Sequence, residues 1–412
     1  LTGPSSLSDA LDVLLRHGAL MLRTGDSAFR VHDAVERLAP RLGIDHLDLL
    51  VTVTGMTATA RRGNEQVTLA RRVGPLGINA ARMGRLERLV DEAPADLTPS
   101  ALGARLDAIE AAPPEHPIVV VAIAVGFASA SFAYLNDANL AGVLATFAAG
   151  GVGQLVRSIL LGRHFNQFAV TAFCALLAAG FYYVAAWLLG RAGLDPGHGI
   201  GVIAAVLFLI PGFPLVAALL DLLQHQATAG VVRLAYATTL LLAAAFGLAT
   251  VFIVAGVALS APQPPSTDLA LTITLRGLAS LAGGCGFAVL YNSTNRTVLV
   301  VGLLALLGNE LRLGLQDWGA MQPLATFTGA LLVGLLASLV QGHLREPRIV
   351  LTVPGIIIMV PGSYVFQSVV LFTQGNALGG LQAAVQAGFV VGGMALGLAT
   401  ARFIGERQWR YE

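Results

Sequence analysis

The chain has 412 residues, 55% hydrophobic and 12% charged, with a formal net charge of +1 and a mean hydropathy of +0.73. These values exclude the soluble globular and disordered classes and describe a polytopic membrane protein. The near-neutral charge, carried on the basic side by arginine alone, excludes a nucleic-acid binder that works through a basic surface.

The charge is unevenly placed. Residues 1–117 hold 13 Arg and 15 Asp/Glu, and the remaining 295 residues hold 12 Arg and 9 Asp/Glu. This division predicts an N-terminal α+β domain over 1–112, a linker over 113–117 and a membrane part from 118 onward. The opening "LTGPSSLSDALDVLLRHG" is polar and amphipathic and does not read as a signal peptide, so the first membrane helix is expected to direct insertion.

Within the N-terminal part, residues 6–25 and 26–43 place apolar side chains at helical spacing, with Ser8 and Ser27 as caps and Gly25 and Gly43 as stops. "HLDLLVTVTGMTATARR" and "QVTLARRV" are rich in β-branched residues and predict short strands; 78–93 returns to helix, and "EAAPPEHP" reads as linker. No catalytic set is present. His17, His32 and His46 lack a metal-ligand spacing, and Ser27 or Thr54 with His32 is too loose for a hydrolase, so neither an enzyme nor a cofactor is expected. Cys174 and Cys285 lie within apolar segments and read as ordinary thiols.

After Pro117 ten apolar segments have spanning length: 118–136, 138–160, 167–190, 200–222, 230–260, 269–291, 296–313, 322–343, 349–373 and 379–404. Ten spans put both termini on one side. Arg163, Arg233, Arg296, Arg345, Arg348, Arg402, Arg407 and Arg410 fall on that side, against Arg191, Arg276 and Arg312 opposite, which predicts cytoplasmic termini.

An internal repeat runs through these spans. "FAYLND" (132–137) is answered by "FAVLYN" at an offset of 155, and "GQLVRS" (153–158) by "GNELRLG", which sets Arg157 opposite Arg312. "LIPGFPLV" (209–216) is answered by "MVPGSYVF" at 150, and "QHQATAG" by "QGNALGG" in the same register. Two halves of five spans each, 118–260 and 261–412, must enter the membrane from opposite sides. The predicted fold is therefore an α-helical polytopic membrane protein built as two inverted five-helix repeats with broken helices, the arrangement of an alternating-access transporter.

The breaks mark the candidate site. Proline frees backbone groups that lipid cannot satisfy, and a half-helix starting at membrane depth presents N–H groups suited to a carboxylate. Pro211, Gly212 and Phe213 in the first half, with Pro361, Gly362, Ser363 and Tyr364 in the second, are accordingly candidate substrate-binding residues; kinks that only shape helix packing are the alternative. Intramembrane ionisable residues are costly and so are candidates too. Arg157 and Arg312 offer planar forks for a carboxylate or snorkel to the interface. Gln154 and Asn309 stand beside them as equivalent polar positions. Glu310 reads as a proton-coupling carboxylate or as half of an internal ion pair, and Asp221 as a second coupling carboxylate or a helix-end residue. Asp137, Asn139, Asn292 and Asn295 mark symmetric turns.

"TGDSAFRVHDAVERLAPRLGI", "VTVTGMTATA" and "RRVGPLGINAARMGRLERLV" together resemble the cytoplasmic part of the bacterial threonine/serine exporter family. "IPGFPLVAALLDLL" is similar to that family's first membrane half, and "VPGIIIMVPGSYVFQSVVLFTQGN" to its second, in the fused form that carries both halves. The resemblance implies export of L-threonine and L-serine driven by protons. Through split relatives it also implies a small dicarboxylate such as succinate. The partners expected are thus these solutes, protons and the lipid bilayer, with a homo-oligomer compatible and no metal. A passive channel and a membrane-anchored sensor are the rivals from other classes.

Overall fold

The computed structural model describes residues 6–194, 200–255 and 269–406. Arg407 and Arg410, counted above among the cytoplasmic arginines, lie outside the described residues, as does the expected boundary at 260/261. The chain divides into two compact units.

The first unit gathers the residues up to Glu115 with Phe213–Ala235 and Gln341–Val350. It opens with α1 (Leu7–Arg23), α2 (Ala28–Leu38) and a 3-10 turn (Pro40–Leu42). Strands β1 (His46–Thr52), β2 (Gly55–Arg62) and β3 (Glu65–Arg72) form an antiparallel sheet in the order β1-β2-β3. Helices α3 (Ala80–Asp91) and α4 (Pro99–Ala111) follow. Leu7, Leu11, Leu14, Leu15 and Leu22 form the buried stripe of α1, and the inward residues Met56, Ala58 and Ala60 of β2 join the same core. Such periodic burial is what makes one face of each element apolar. Gly25 and Gly43 end their helices with φ of 95° and 71°, as expected.

One expectation changes in this unit, and one helix is added. Ser6, not Ser8, caps α1, its hydroxyl accepting the Asp9 N–H at 3.1 Å. Pro99–Ala111, a stretch to which the sequence assigns no element, supplies α4, and Leu102 and Leu106 one turn apart seat it in the core.

The membrane helices are α5 (Ile118–Leu135), α6 (Leu140–Gly162), α7 (Gln167–Arg191), α8 (Ile200–Ala205), α9 (Gly212–Leu223) and α10 (Ala227–Ala255). The series α11 (Leu269–Leu290), α12 (Asn295–Asp317), α13 (Gln322–Leu344), α14 (Arg348–Ile356), α15 (Gly362–Thr373) and α16 (Ala377–Gly405) then repeats it. Among the described residues eight helices are long and apolar enough to span a bilayer, and α14 with α15 forms a pair bent by 50°, which makes nine if the pair is one broken span and not a re-entrant loop. The expected tenth, 200–222, is divided: α8 has six residues, a 3-10 turn covers Leu207–Leu209, and α9 starts afresh at Gly212. Pro211 and Pro214, without N–H groups, are the reason the helix cannot run through. Outward side chains such as Phe246 and Phe389 are apolar and exposed, as a lipid-facing surface requires.

The described turns recur with the sequence. Asp137 and Asn292, 155 apart, are both left-handed, with φ of 65° and 57°. His164 and Gly319, also 155 apart, adopt 60° and 91°; His225 and Gly375, 150 apart, adopt 58° and 79°. Matching left-handed turns at matching helix ends are not dictated by apolar composition.

Candidate functional site

Each Pro-Gly break has the same local construction. A 3-10 turn (Leu207–Leu209, or Ile357–Met359 in the second half) ends in an extended residue, Ile210 or Val360. The N–H of Gly212 then donates to Ile210 O at 2.8 Å, and that of Gly362 to Val360 O at 2.8 Å. Both glycine N–H groups are thus engaged locally.

The two breaks fill one another. A Cβ at Gly212 would stand 2.9 Å from Ile357 Cγ1 and 3.5 Å from Val360 Cγ2; one at Gly362 would stand 2.7 Å from Ile210 Cδ1 and 2.9 Å from Leu207 Cδ1. Leu207 and Ile357, like Ile210 and Val360, are 150 residues apart, so the contact is reciprocal. The α5–α11 crossing behaves alike: a Cβ at Gly286 would stand 2.9 Å from Ala128 Cβ and one at Gly283 would stand 3.4 Å from Ser131 Cβ, pairs that exchange at an offset of 155. Pro211, Gly212, Phe213, Pro361 and Gly362 are all buried, and Ser363 and Tyr364 are half-buried. In this conformation aliphatic side chains occupy the space beside the glycines. The Tyr364 hydroxyl donates to Gln322 Oε1 at 2.8 Å.

The two arginines stand one turn past an amide in each half. Arg312 Nε donates to Asn309 Oδ1 at 2.8 Å, and Arg157 Nη1 points to Gln154 Oε1 at 3.4 Å. Among the described residues no carboxylate lies within 4.0 Å of either guanidinium. Arg312 is 8% exposed and Asn309 fully buried, whereas Arg157 is half-buried. Arg312 is also tied to the second break. A Cβ at Gly329 on α13 would meet both Arg312 Cβ and Met359 Sδ at 3.3 Å, so the root of the arginine and the 3-10 turn share one small gap.

Glu310 turns away from Arg312 toward α11, where its Oε1 is buried without a hydrogen-bond partner. Arg276, the nearby cation on α11, binds Asp317 Oδ2 at 2.7 Å instead. Asp137 lies in the same charged surround; partial burial raises its carboxyl above the usual range, and Arg276 opposes that shift.

Asp221 belongs to the first unit and is completely buried there. Its Oδ1 accepts the Ala28 N–H at 2.8 Å, and its Oδ2 lies 3.2 Å from Arg233 Nε. Arg233 also donates to the carbonyls of Gly25 and Asp26 at 3.2 and 2.7 Å. Asp221 thereby satisfies an orphan donor of the first turn of α2, while Ser27, predicted as its cap, makes no side-chain capping bond. Sequence reading missed Arg233 as the partner. The available signal was a second charge embedded in an apolar segment, 12 residues after Asp221.

This architecture defines a multi-pass α-helical membrane protein with paired broken helices and two arginines that have no carboxylate partner among the described residues. Two family models match the chain: ThrE, described as "Putative threonine/serine exporter", over residues 12–255, and ThrE_2, "Threonine/Serine exporter, ThrE", over 277–404. The chain belongs to the threonine/serine exporter family, which is a family of transporters and not of enzymes.

Among curated relatives, the "Probable threonine/serine exporter" of Mycobacterium tuberculosis (strain ATCC 25618 / H37Rv) is 27% identical over 96% of this chain and 76% of its own length. The "Probable succinate transporter subunit YjjP" of Escherichia coli (strain K12) is 28% identical over 56% of this chain and 89% of its own. No solved structure matches the chain.

Proposed function

We propose that the chain is a secondary active exporter that moves threonine and serine out of the cytoplasm, coupled to protons, by alternating access of two inverted five-helix repeats, 118–260 and 261–412, in the bacterial inner membrane. Residues 1–112 and both termini are cytoplasmic in this reading. The observation that carries it is the reciprocal seating of Gly212 against Ile357 and Gly362 against Leu207. Two elements related by a twofold axis in the membrane plane are the usual framework for rocking around a central site.

Substrate sits near midplane between the breaks, reached when the aliphatic contacts separate and the helix starts at Gly212 and Gly362 are uncovered. Ser363 and Tyr364 line that space, and Arg157 or Arg312 balances the carboxylate, with Gln154 and Asn309 beside them. Glu310 carries the coupling proton: its Oε1 is buried with no hydrogen-bond partner among the described residues, and ionisable residues within membrane helices mark proton pathways. Asp221, engaged by Ala28 and Arg233, is the less suited of the two coupling candidates.

A second reading, export of a small dicarboxylate such as succinate, is favoured by one specific observation. Among the described residues neither Arg157 nor Arg312 has a carboxylate partner, and a zwitterion brings only one carboxylate to them. The deciding experiment is counterflow into proteoliposomes preloaded with unlabelled threonine or succinate and offered labelled threonine, serine and succinate. Accumulation of threonine and serine alone supports the amino-acid exporter, and accumulation of succinate alone replaces it. Uphill movement under an imposed pH gradient excludes a passive channel.

A further inference from the structure

The two arginines occupy equivalent positions but unequal surroundings. Asn309 Nδ2 donates to Ser280 Oγ at 2.8 Å, and Ser280 Oγ donates to the Arg276 carbonyl at 2.8 Å, so a chain of three bonds runs from the α11 backbone to Arg312 Nε. Each bond has a forced direction. The guanidinium only donates, so Asn309 must present its oxygen to it; the Ser280 hydrogen is committed to the carbonyl, so Ser280 must accept from the amide. Ser280 and Asn309 are fully buried. The Arg312 Nη groups make no hydrogen bond among the described residues, which leaves the outer fork of the guanidinium pointing at no protein acceptor.

In the first half the relay is missing. Gln154 Nε2 donates to Ser158 Oγ at 3.0 Å on its own helix, its bond from Arg157 is the long one at 3.4 Å, and the position 155 before Ser280 is Val125.

We propose that Ser280 is a positioning residue that acts through Asn309 to hold the Arg312 fork open for a substrate carboxylate. Arg312 is then the fixed anchor and Arg157 the adjustable one. The inference rests on the reading of Arg312 as a carboxylate partner and adds to it which arginine is preorganised and by what. Preorganised forks bind without first ordering the side chain, so loosening the relay raises KM and leaves the turnover step alone.

The test uses the full chain in proteoliposomes with counterflow of threonine, serine and succinate. Ser280→Ala should raise KM about tenfold with maximal flux within about twofold, the size of one lost charge-assisted contact. Ser280→Thr, which keeps the hydroxyl, should stay near wild type. Asn309→Asp, which hands Arg312 a permanent carboxylate, should abolish binding. An unchanged KM in Ser280→Ala, or equal losses for the Ala and Thr variants together with a lowered melting temperature, would overturn the proposal. If wild type carries none of the three solutes the transport reading fails, and the relay is then judged by the rate at which phenylglyoxal modifies Arg312. A severalfold faster rate in Ser280→Ala retains the positioning role, and an unchanged rate refutes it.

Discussion

Gly212 lies against Ile357, close enough that a Cβ on the glycine would stand 2.9 Å from Ile357 Cγ1. The matching contact, Gly362 against Leu207 and Ile210, makes each break the filler of the other. The atoms beside Gly362, Ile210 Cδ1 and Leu207 Cδ1, are tips of aliphatic side chains, which yield to one methyl group and not to three or four. Gly362→Ala should therefore keep most activity, and Gly362→Leu should cut threonine counterflow below about a tenth while the protein still elutes as a folded species. Combining Gly362→Val with Ile210→Ala should recover part of the flux, since the removed carbons are those the valine meets. Full activity in Gly362→Leu would remove this contact from the transport pathway.

Asp221 and Arg233 form a buried pair in which each also satisfies backbone groups of the segment Gly25–Ala28. Breaking such a pair from one side leaves an uncompensated charge, which costs about 3–5 kcal/mol. Asp221→Ala should lower the melting temperature markedly and speed hydrogen exchange at residues 28–31, the first turn of α2. Arg233→Ala should do the same, and the double variant should be less destabilised than the sum of the two. If Asp221→Asn left stability intact and removed only the pH dependence of flux, Asp221 would regain its place as a coupling residue.

The helices and the two breaks were legible in the sequence because each leaves a local mark: an apolar run or a Pro-Gly pair. The partners of the polar residues were not. Ser280 is 29 residues from Asn309, and Asp221 is 193 from Ala28, and nothing in either stretch of sequence distinguishes these contacts from others of the same types. The division of 200–222 into short pieces was half visible. Pro211 announced the break, but the 3-10 turn before it depends on how Leu207 and Leu209 pack, which periodicity does not report.

His17 is wholly buried on α1, its Nε2 3.4 Å from Leu86 O and its Nδ1 without a partner. Burial pushes its pKa down from 6.5 to about 4. The native state therefore holds the neutral ring while the unfolded chain takes up a proton below its ordinary pKa. Above pH 6.5 the group has no effect on stability; as pH falls from there toward about 4, stability drops, by about 2 kcal/mol at pH 5. Melting measured from pH 7 to pH 5 should show this loss, and His17→Gln should flatten that acid limb whatever it does to stability at pH 7. A limb of unchanged slope would assign the acid sensitivity to other groups.

Glu310 sits on α12 two turns before Asp317, and Arg276 across from both has bonded to Asp317. Among the described residues its buried oxygen has no donor, and in the proposed cycle this carboxyl holds the coupling proton in its protonated form. Glu310→Gln preserves the shape and the neutral charge of that protonated form, so the substitution should leave exchange of labelled for unlabelled substrate nearly untouched. What it should abolish is uphill accumulation under a pH gradient, because exchange needs only a loaded carrier and net coupled movement needs a group that binds and releases the proton. Asp317→Asn separates this role from simple charge balance: it frees Arg276 to engage Glu310, which favours the carboxylate and should shift the pH dependence of flux to more acidic values. Retention of acid-driven accumulation in Glu310→Gln would place the coupling group elsewhere in the membrane part.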